Sequence, residues 1–497
     1  MKFSLLVSLL VQGYLALLGV LLLPVYLHYL GAEALGLVGL FLMLQAWIQI
    51  LDMGFTAALS RDMARMRAGS LAPSEAAARL QALQWLMGGL ALLTVLLGWL
   101  LAEPVAEDWL QAGQLQPSTV AQCLGLIVSA CALRWMAGLY RGVLVGLDQQ
   151  RKVNLLLALV ASGRFAAPVA LLAFWGGGVS AFFAFQVVVS LLELLLFATL
   201  AGRQVPLLGA GPTLAPLRGM LGLVGSMALL NALWVVQTQL DKLILSGMLS
   251  LQAFGHFTLA AAAAGGVLVL MAPLNQVVQP RLSYLVARGD PQALQALYRL
   301  ASQCAVVGFV TLGGGMAFFA EPILCLWIGS PELAQASAPV LFGYGLANAL
   351  LGVMLLPFML QFAHGRLRLH VLGNLLLLAL SVPALLLAVS RWGATGAGFA
   401  LCVLNALFLL GWSPRVHRQF MPAQRWRWLL CDTLPVLGCI LGLLAGLAWL
   451  MPSALGLLPA LLWIAVAMGI AGLGGALAGS QSRRFILQQL QQLGRKR

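Results

Sequence analysis

The chain has 497 residues, 62% hydrophobic and 8% charged, whereas a soluble domain carries about 25% charged residues. With a mean hydropathy of +0.97, this composition excludes a soluble globular fold, because water-facing area has to be covered by polar side chains. A net charge of +14 would suggest nucleic acid in a soluble protein, but in a membrane protein it reflects Lys and Arg gathered in cytoplasmic loops, so no nucleic-acid partner is expected.

Repeated apolar runs of 18 or more residues predict an all-α, polytopic membrane protein. The runs are continuous and do not alternate, which argues against a β-barrel. Fourteen transmembrane helices are predicted, at roughly 4–28, 35–59, 81–102, 119–146, 153–175, 180–201, 219–247, 255–279, 300–320, 338–362, 371–390, 396–413, 430–450 and 456–478. Lys2 and the apolar run after it look like a signal peptide. That run reaches about residue 30 with no Ala-x-Ala site, so it reads as an uncleaved first span.

The basic residues fix the orientation. With the N-terminus in the cytoplasm, the inner side receives Lys2, then Arg61, Arg65, Arg67 and Arg79, then Arg151 and Lys152, and then Arg203 and Arg218. It goes on to receive Arg281, Arg288 and Arg299, Arg366 and Arg368, then Arg415, Arg418, Arg425 and Arg427, and finally Arg483, Arg484, Arg495, Lys496 and Arg497. Only Arg391 falls outside, while Arg134, Arg141, Arg164 and Lys242 lie within spans. Missing one span would scramble this asymmetry, so both termini are expected in the cytoplasm. Outer loops are short, the longest at about 103–118, which leaves no room for a soluble catalytic domain. The seven cysteines have no CxxC or Cys/His spacing and read as small core residues, with no metal or disulfide signal. No Gly-x-x-x-x-Gly-Lys-Ser/Thr pattern occurs, and no cofactor is expected.

A weak repeat runs through the chain. Gly31-Ala-Glu-Ala-Leu-Gly36 opens span 2 and Ser250-Leu-Gln-Ala-Phe-Gly255 opens span 8, and the two spans end at Arg61 and Arg281. The copies would run parallel, giving two six-helix bundles related by an axis along the membrane normal. The expected division is a first bundle at 1–205, a second at 206–420, and two additional helices with a basic tail at 421–497. Pro206, Gly209, Gly211, Pro212 and Pro216 mark the linker.

Polar residues interrupt several spans. The stretch 231–246 places Asp241 and Lys242 in an otherwise apolar run, where a charge at mid-helix costs about 2.5–3.5 kcal/mol. Asn231, Thr238 and Lys242 share one face of that helix, flanked by Asp241 and Gln237. The plainer reading is that Lys242 snorkels to the surface. Gln45, Gln49, Asp52 and Thr56 fall on one face of span 2, and Gln186, Ser190 and Glu193 on one face of span 6. Arg134 and Arg141 belong to span 4 and Arg164 to the middle of span 5. The dull reading of Arg141, near the inner surface, is snorkelling, and that of Arg134 and Arg164 is a structural pair with Glu193 or Asp52. Their functional reading is a cationic cavity that attracts an anion. Arg suits phosphate because its planar fork of donors matches phosphate oxygens and its charge does not titrate. The intramembrane balance leans positive, Arg134, Arg141, Arg164 and Lys242 against Asp52, Glu193 and Asp241. These acids read as charge-balancing or as carriers of a coupling ion.

The segment 29–65, with Leu51-Asp52-Met53-Gly54 and Arg61-Asp62, resembles the second helix of the polysaccharide-transport branch of the MOP exporter superfamily, which includes the Wzx-type O-antigen flippases. Asp241-Lys242-Leu-Ile-Leu followed by Phe254-Gly255-His256-Phe257 is similar to that family's signature at the end of helix seven. The resemblance covers spans 1–12. It implies two six-helix bundles around a central cavity and a bacterial inner-membrane location. It also implies transfer of an undecaprenyl-diphosphate-linked oligosaccharide to the outer leaflet, with polysaccharide polymerase machinery as a further partner. By motif, Asp52, Arg61, Asp241 and Lys242 carry over; Arg134, Arg141 and Arg164 come from depth and charge. His256-Phe257 stands where the family often has a Tyr pair, and fourteen spans exceed its usual twelve. Lipid II flippases also have fourteen, but they are expected to carry basic residues in the first helix, whereas residues 3–32 here are uncharged. Two competing readings are a drug or cation exporter of the same superfamily, in which the acids would matter most, and a membrane-bound glycan polymerase or ligase.

Overall fold

The computed structural model describes residues 11, 13–15, 17–205, 214–219, 221–452 and 455–494. Lys2, the start of span 1, Pro206, Gly209, Gly211, Pro212, Arg495, Lys496 and Arg497 lie outside the described residues, as does the side chain of Arg218. The fold is all-helical. In hydrocarbon each backbone N–H and C=O needs a partner inside its own segment, and the helix supplies one.

The chain divides into two compact units, Met1–Thr258 and Leu259–Arg497. The first contains α1 (Leu23–Leu30), α2 (Ala32–Ile48), α3 (Phe55–Arg67), α4 (Pro73–Pro104), α5 (Pro117–Gly146), α6 (Gln150–Trp175), α7 (Val179–Gly202), α8 (Leu221–Met248) and the start of α9 (Leu251–Gly265). The second contains the rest of α9, then α10 (Met271–Arg288), α11 (Pro291–Phe318), α12 (Ala320–Ile328), α13 (Pro331–Val353) and α14 (Leu355–Ala363). It ends with α15 (Arg368–Gly411), α16 (Ser413–Phe420), α17 (Leu434–Trp449), α18 (Leu457–Ala478) and α19 (Ser480–Gly494).

Twelve segments among the described residues are long and apolar enough to cross a bilayer. The expected fourteen differs from this at two places. Spans 11 and 12 share the apolar segment Arg368–Phe420 but form two helices on either side of a kink at Gly393 (φ 57°, ψ −143°), which lies between the expected 371–390 and 396–413. Span 7 corresponds to α8, which is outside the twelve. Span 2, expected as one helix over 35–59, is also broken. α2 stops at Ile48, a 3₁₀ turn covers Gln49–Asp52, and Met53 and Gly54 have φ of 48° and 85° before α3 begins. The Asp52 carboxylate explains part of the break. It accepts from the Thr56 hydroxyl and from Thr56 N at 3.4 Å, at the positive end of α3. The stripe Gln45, Gln49, Asp52, Thr56 is therefore not one helical face.

Within the first unit, the two copies of the repeat cross each other. A Cβ on Gly36 would lie 2.4 Å from the Leu251 carbonyl oxygen, and one on Gly255 would lie 2.0 Å from the Ala32 carbonyl oxygen. Ala32 and Leu251 are matching positions of the repeat, as are Gly36 and Gly255, so the contact is a local two-fold. Only glycine lets the backbones approach this closely, the usual device of helix pairs in membranes. Glu33, beside the crossing, accepts from Gly113 N (2.7 Å), Gln114 N (2.9 Å) and Leu115 N (2.8 Å), and Leu251 N donates to Gln111 O at 2.9 Å.

The second unit has its core in α11, α13, α14 and α17, around Phe309, Tyr298, Leu356, Val436 and Ile440. Arg299 was sorted with the loop cations. It is instead buried in α11 and grips Asp432 with two bonds, Nε–Oδ2 at 2.7 Å and Nη2–Oδ1 at 2.8 Å. Gln303 Nε2 donates to the same carboxylate at 2.6 Å. His417 joins Tyr298 at 3.0 Å and stacks on Trp428, whose indole donates to Ser302 at 2.8 Å. Asp432 lies in the widened turn that opens α17, so this knot ties the last two spans to α11.

Candidate substrate-binding site

The first unit gathers three arginines around one carboxylate. α5 carries Arg134 and Arg141 seven residues apart, about 10 Å along the axis and close to one face. α6 supplies Arg164 near its middle, and α7, which packs along α5, supplies Glu193. Glu193 Oε1 accepts from Arg141 Nη1 at 2.9 Å, and its Oε2 accepts from Arg164 Nη2. Glu193 is 1% exposed and Arg164 5%, whereas the Arg141 side chain keeps 30% of its surface open.

Arg134 is held differently. Its Nη1 donates to Gln45 Oε1 on α2, and its guanidinium lies 5.8 Å from the Phe41 ring. A neutral amide satisfies one donor and leaves the charge intact. Three guanidiniums against one carboxylate make the cluster net positive, and Glu193 is within electrostatic reach of all three. Among the described residues, Arg164 Nε and Gln186 Oε1 are buried without a hydrogen-bond partner, although Gln186 Nε2 does donate to Arg164 O at 3.3 Å. An excess of buried positive charge with unspent donors is the arrangement an anion would complete.

The structure brings together four of the eight predicted site residues, Arg134, Arg141, Arg164 and Glu193. It pairs Arg164 with Glu193, which was one of the plainer alternatives; the other, a pair with Asp52, does not form, since Asp52 is bonded to Thr56. Lys242 sits on α8, where Nζ donates to Thr238 O at 2.6 Å and lies 3.5 Å from Asp241 Oδ1. Asp241 is buried, and Asn231 on the same helix donates to Gln49 O at 3.5 Å. Arg61 is exposed on α3; its neighbour Asp62 is buried and receives Arg79 Nη1 at 2.5 Å.

Sequence reasoning placed Gln45, Gln186 and Ser190 on polar faces of spans 2 and 6 and left them out of the site. Gln45 was findable only as the amide whose span would meet Arg134. Glu33 went unremarked, although it is the first acid after the uncharged stretch 3–32.

A family model described as polysaccharide biosynthesis protein matches residues 4–286. No curated protein matches the sequence. Three solved structures show the fold. The lipid II flippase MurJ, in an inward closed conformation, aligns with a TM-score of 0.73 at 11% identity, covering 96% of this chain and 98% of that one. An inward-facing multidrug resistance MATE family transporter of the MOP superfamily aligns with a TM-score of 0.67 at 14% identity, covering 83% and 98%. A MOP superfamily transporter from Pyrococcus furiosus, whose title reports reverse polarity of its binding pocket, aligns with a TM-score of 0.56 at 14% identity, covering 84% and 95%.

Proposed function

The chain belongs to the polysaccharide biosynthesis protein family, and from that premise we propose that it is a flippase for an undecaprenyl-diphosphate-linked oligosaccharide. It carries this O-antigen or exopolysaccharide repeat unit from the cytoplasmic to the periplasmic leaflet of a bacterial inner membrane by alternating access, with both termini in the cytoplasm. Polysaccharide polymerase machinery takes up the product. The observation that carries this reading is the net-positive Arg134–Arg141–Arg164–Glu193 cluster within spanning helices.

Flipping makes and breaks no covalent bond. Its barrier is the transfer of a diphosphate and several sugars through hydrocarbon, where a bare charge is costly. Glu193 acts as the resident counter-ion for Arg164 and Arg141. A diphosphate offers several oxygens to the same forks and replaces it. Arg134 changes partner at lower cost, because leaving a neutral amide breaks no ion pair. Arg61, exposed on α3, and Lys242 extend the basic set, with Asp52 and Asp241 balancing it. The repeat at 1–205 and 206–420 supplies the two halves that alternate.

The exporter reading draws on the same MATE-like fold, but a net-positive cluster repels cationic drugs. In a strain lacking the chain, complementation with Arg134→Ala or Arg164→Ala is expected to abolish surface polysaccharide at normal membrane levels of the protein. Normal polysaccharide from both variants would sink the proposal, and drug sensitivity with intact glycan would favour the exporter.

A further inference from the structure

The last described helix, α19, follows α18 after a single extended residue, Gly479 (φ −71°, ψ 129°). α18 has 22 residues, about 33 Å at 1.5 Å per residue, which matches a hydrocarbon core of about 30 Å. α19 therefore begins where a spanning helix reaches the headgroups. Its start is pinned there. Gln303 Oε1 of α11 accepts from Gln481 N at 2.8 Å and Ser482 N at 2.9 Å, and Gln303 is itself bonded to Asp432.

Beyond that anchor the helix is basic and partly apolar on its outside. Arg483 and Arg484 are exposed, Phe485 is 45% exposed and Leu487 50%. The sequence places Ile486, Leu490 and Leu493 at i, i+4 and i+7, the period of an amphipathic helix. From Ser480 to Arg497 there is no acidic residue, and Arg495, Lys496 and Arg497 follow α19.

We propose that α19 lies along the bilayer surface at the end of α18 and binds anionic phospholipid through Arg483 and Arg484, with Phe485 and Leu487 inserted among the headgroups. Charge complementarity selects this occupant. An acid-free, basic helix set against a second copy of itself brings like charges together, whereas the negative leaflet surface attracts it and accepts aromatic and aliphatic side chains at the same depth. The inference does not depend on what the chain transports.

The test is amide hydrogen exchange of residues 480–494 in the full chain, reconstituted in nanodiscs of phosphatidylcholine alone or with phosphatidylglycerol. The expected result is exchange several-fold slower in anionic discs, with the slowing reduced by salt and abolished in R483E/R484E. F485S/L487S is expected to speed exchange in both lipids. Amides around Gln303 and Asp432 serve as the fold control, and their exchange is expected to stay unchanged. Equal rates in the two lipids overturn the proposal. So does slowing that survives charge reversal, or slowing that follows the number of chains per disc, since either one places a protein surface on α19.

Discussion

Arg134 and Arg164 sit at comparable depth yet are held by different chemistry, and that difference decides what each can do. Arg164 is bonded to Glu193 in a buried ion pair. Breaking such a pair by removing one partner costs about 3–5 kcal/mol, because the other charge is left buried. Among the described residues, Arg134 is bonded to the neutral Gln45 amide, so its truncation is expected to cost about 1.5–3 kcal/mol, the range for a hydrogen bond to a charged group. Glu193→Gln separates binding from stability. It removes the one carboxylate while keeping an acceptor, so the cluster gains a full positive charge. Tighter binding of a soluble diphosphate by calorimetry is expected, together with a lower thermal midpoint in detergent. Unchanged diphosphate affinity would show that Glu193 is not the counter-ion the substrate displaces. The sequence revealed the arginines through their depth and charge. It did not reveal their partners, because Glu193 and Asp52 are equally plausible from helical spacing, and only the break at Gln49–Gly54 turns Asp52 away toward Thr56.

At the scale of the element, hydropathy located the helices well, because a bilayer demands long apolar runs. It missed the break inside span 2, which depends on two residues of that run. Met53–Gly54 ends the first helix early, whereas the kink at Gly393 falls in the gap expected between spans 11 and 12. The repeat motif could be read as a pattern, but the sequence did not show that its two copies would touch. The contact makes a specific expectation for Gly255→Val. The new side chain meets the Ala32 carbonyl, which is backbone and cannot swing away, so a loss of about 1–3 kcal/mol is expected from overpacking. Gly88→Ala, in open space, is the control and is expected to stay within about 0.5 kcal/mol. Thermal unfolding in detergent reads both, and equal midpoints would remove the crossing from the list of close contacts.

For the whole molecule, composition and loop charge established the class, and the family match and the MurJ-like fold agree with the resemblance found in the Asp52 and Asp241-Lys242 segments. The role of the last two spans was not legible. Arg299 looked like one more loop cation, and nothing in the sequence linked it to Asp432. The claim on which the function rests is that the cluster in the first unit selects a diphosphate. The most direct measurement is leaflet transfer in proteoliposomes of a labelled undecaprenyl-diphosphate-linked oligosaccharide, beside the same oligosaccharide on undecaprenol without the diphosphate. The diphosphate form is expected to cross at least tenfold faster, with the ratio falling toward one in Arg134→Gln. Equal transfer of the two lipids, or an unaltered ratio in the variant, would contradict a cationic path for the substrate.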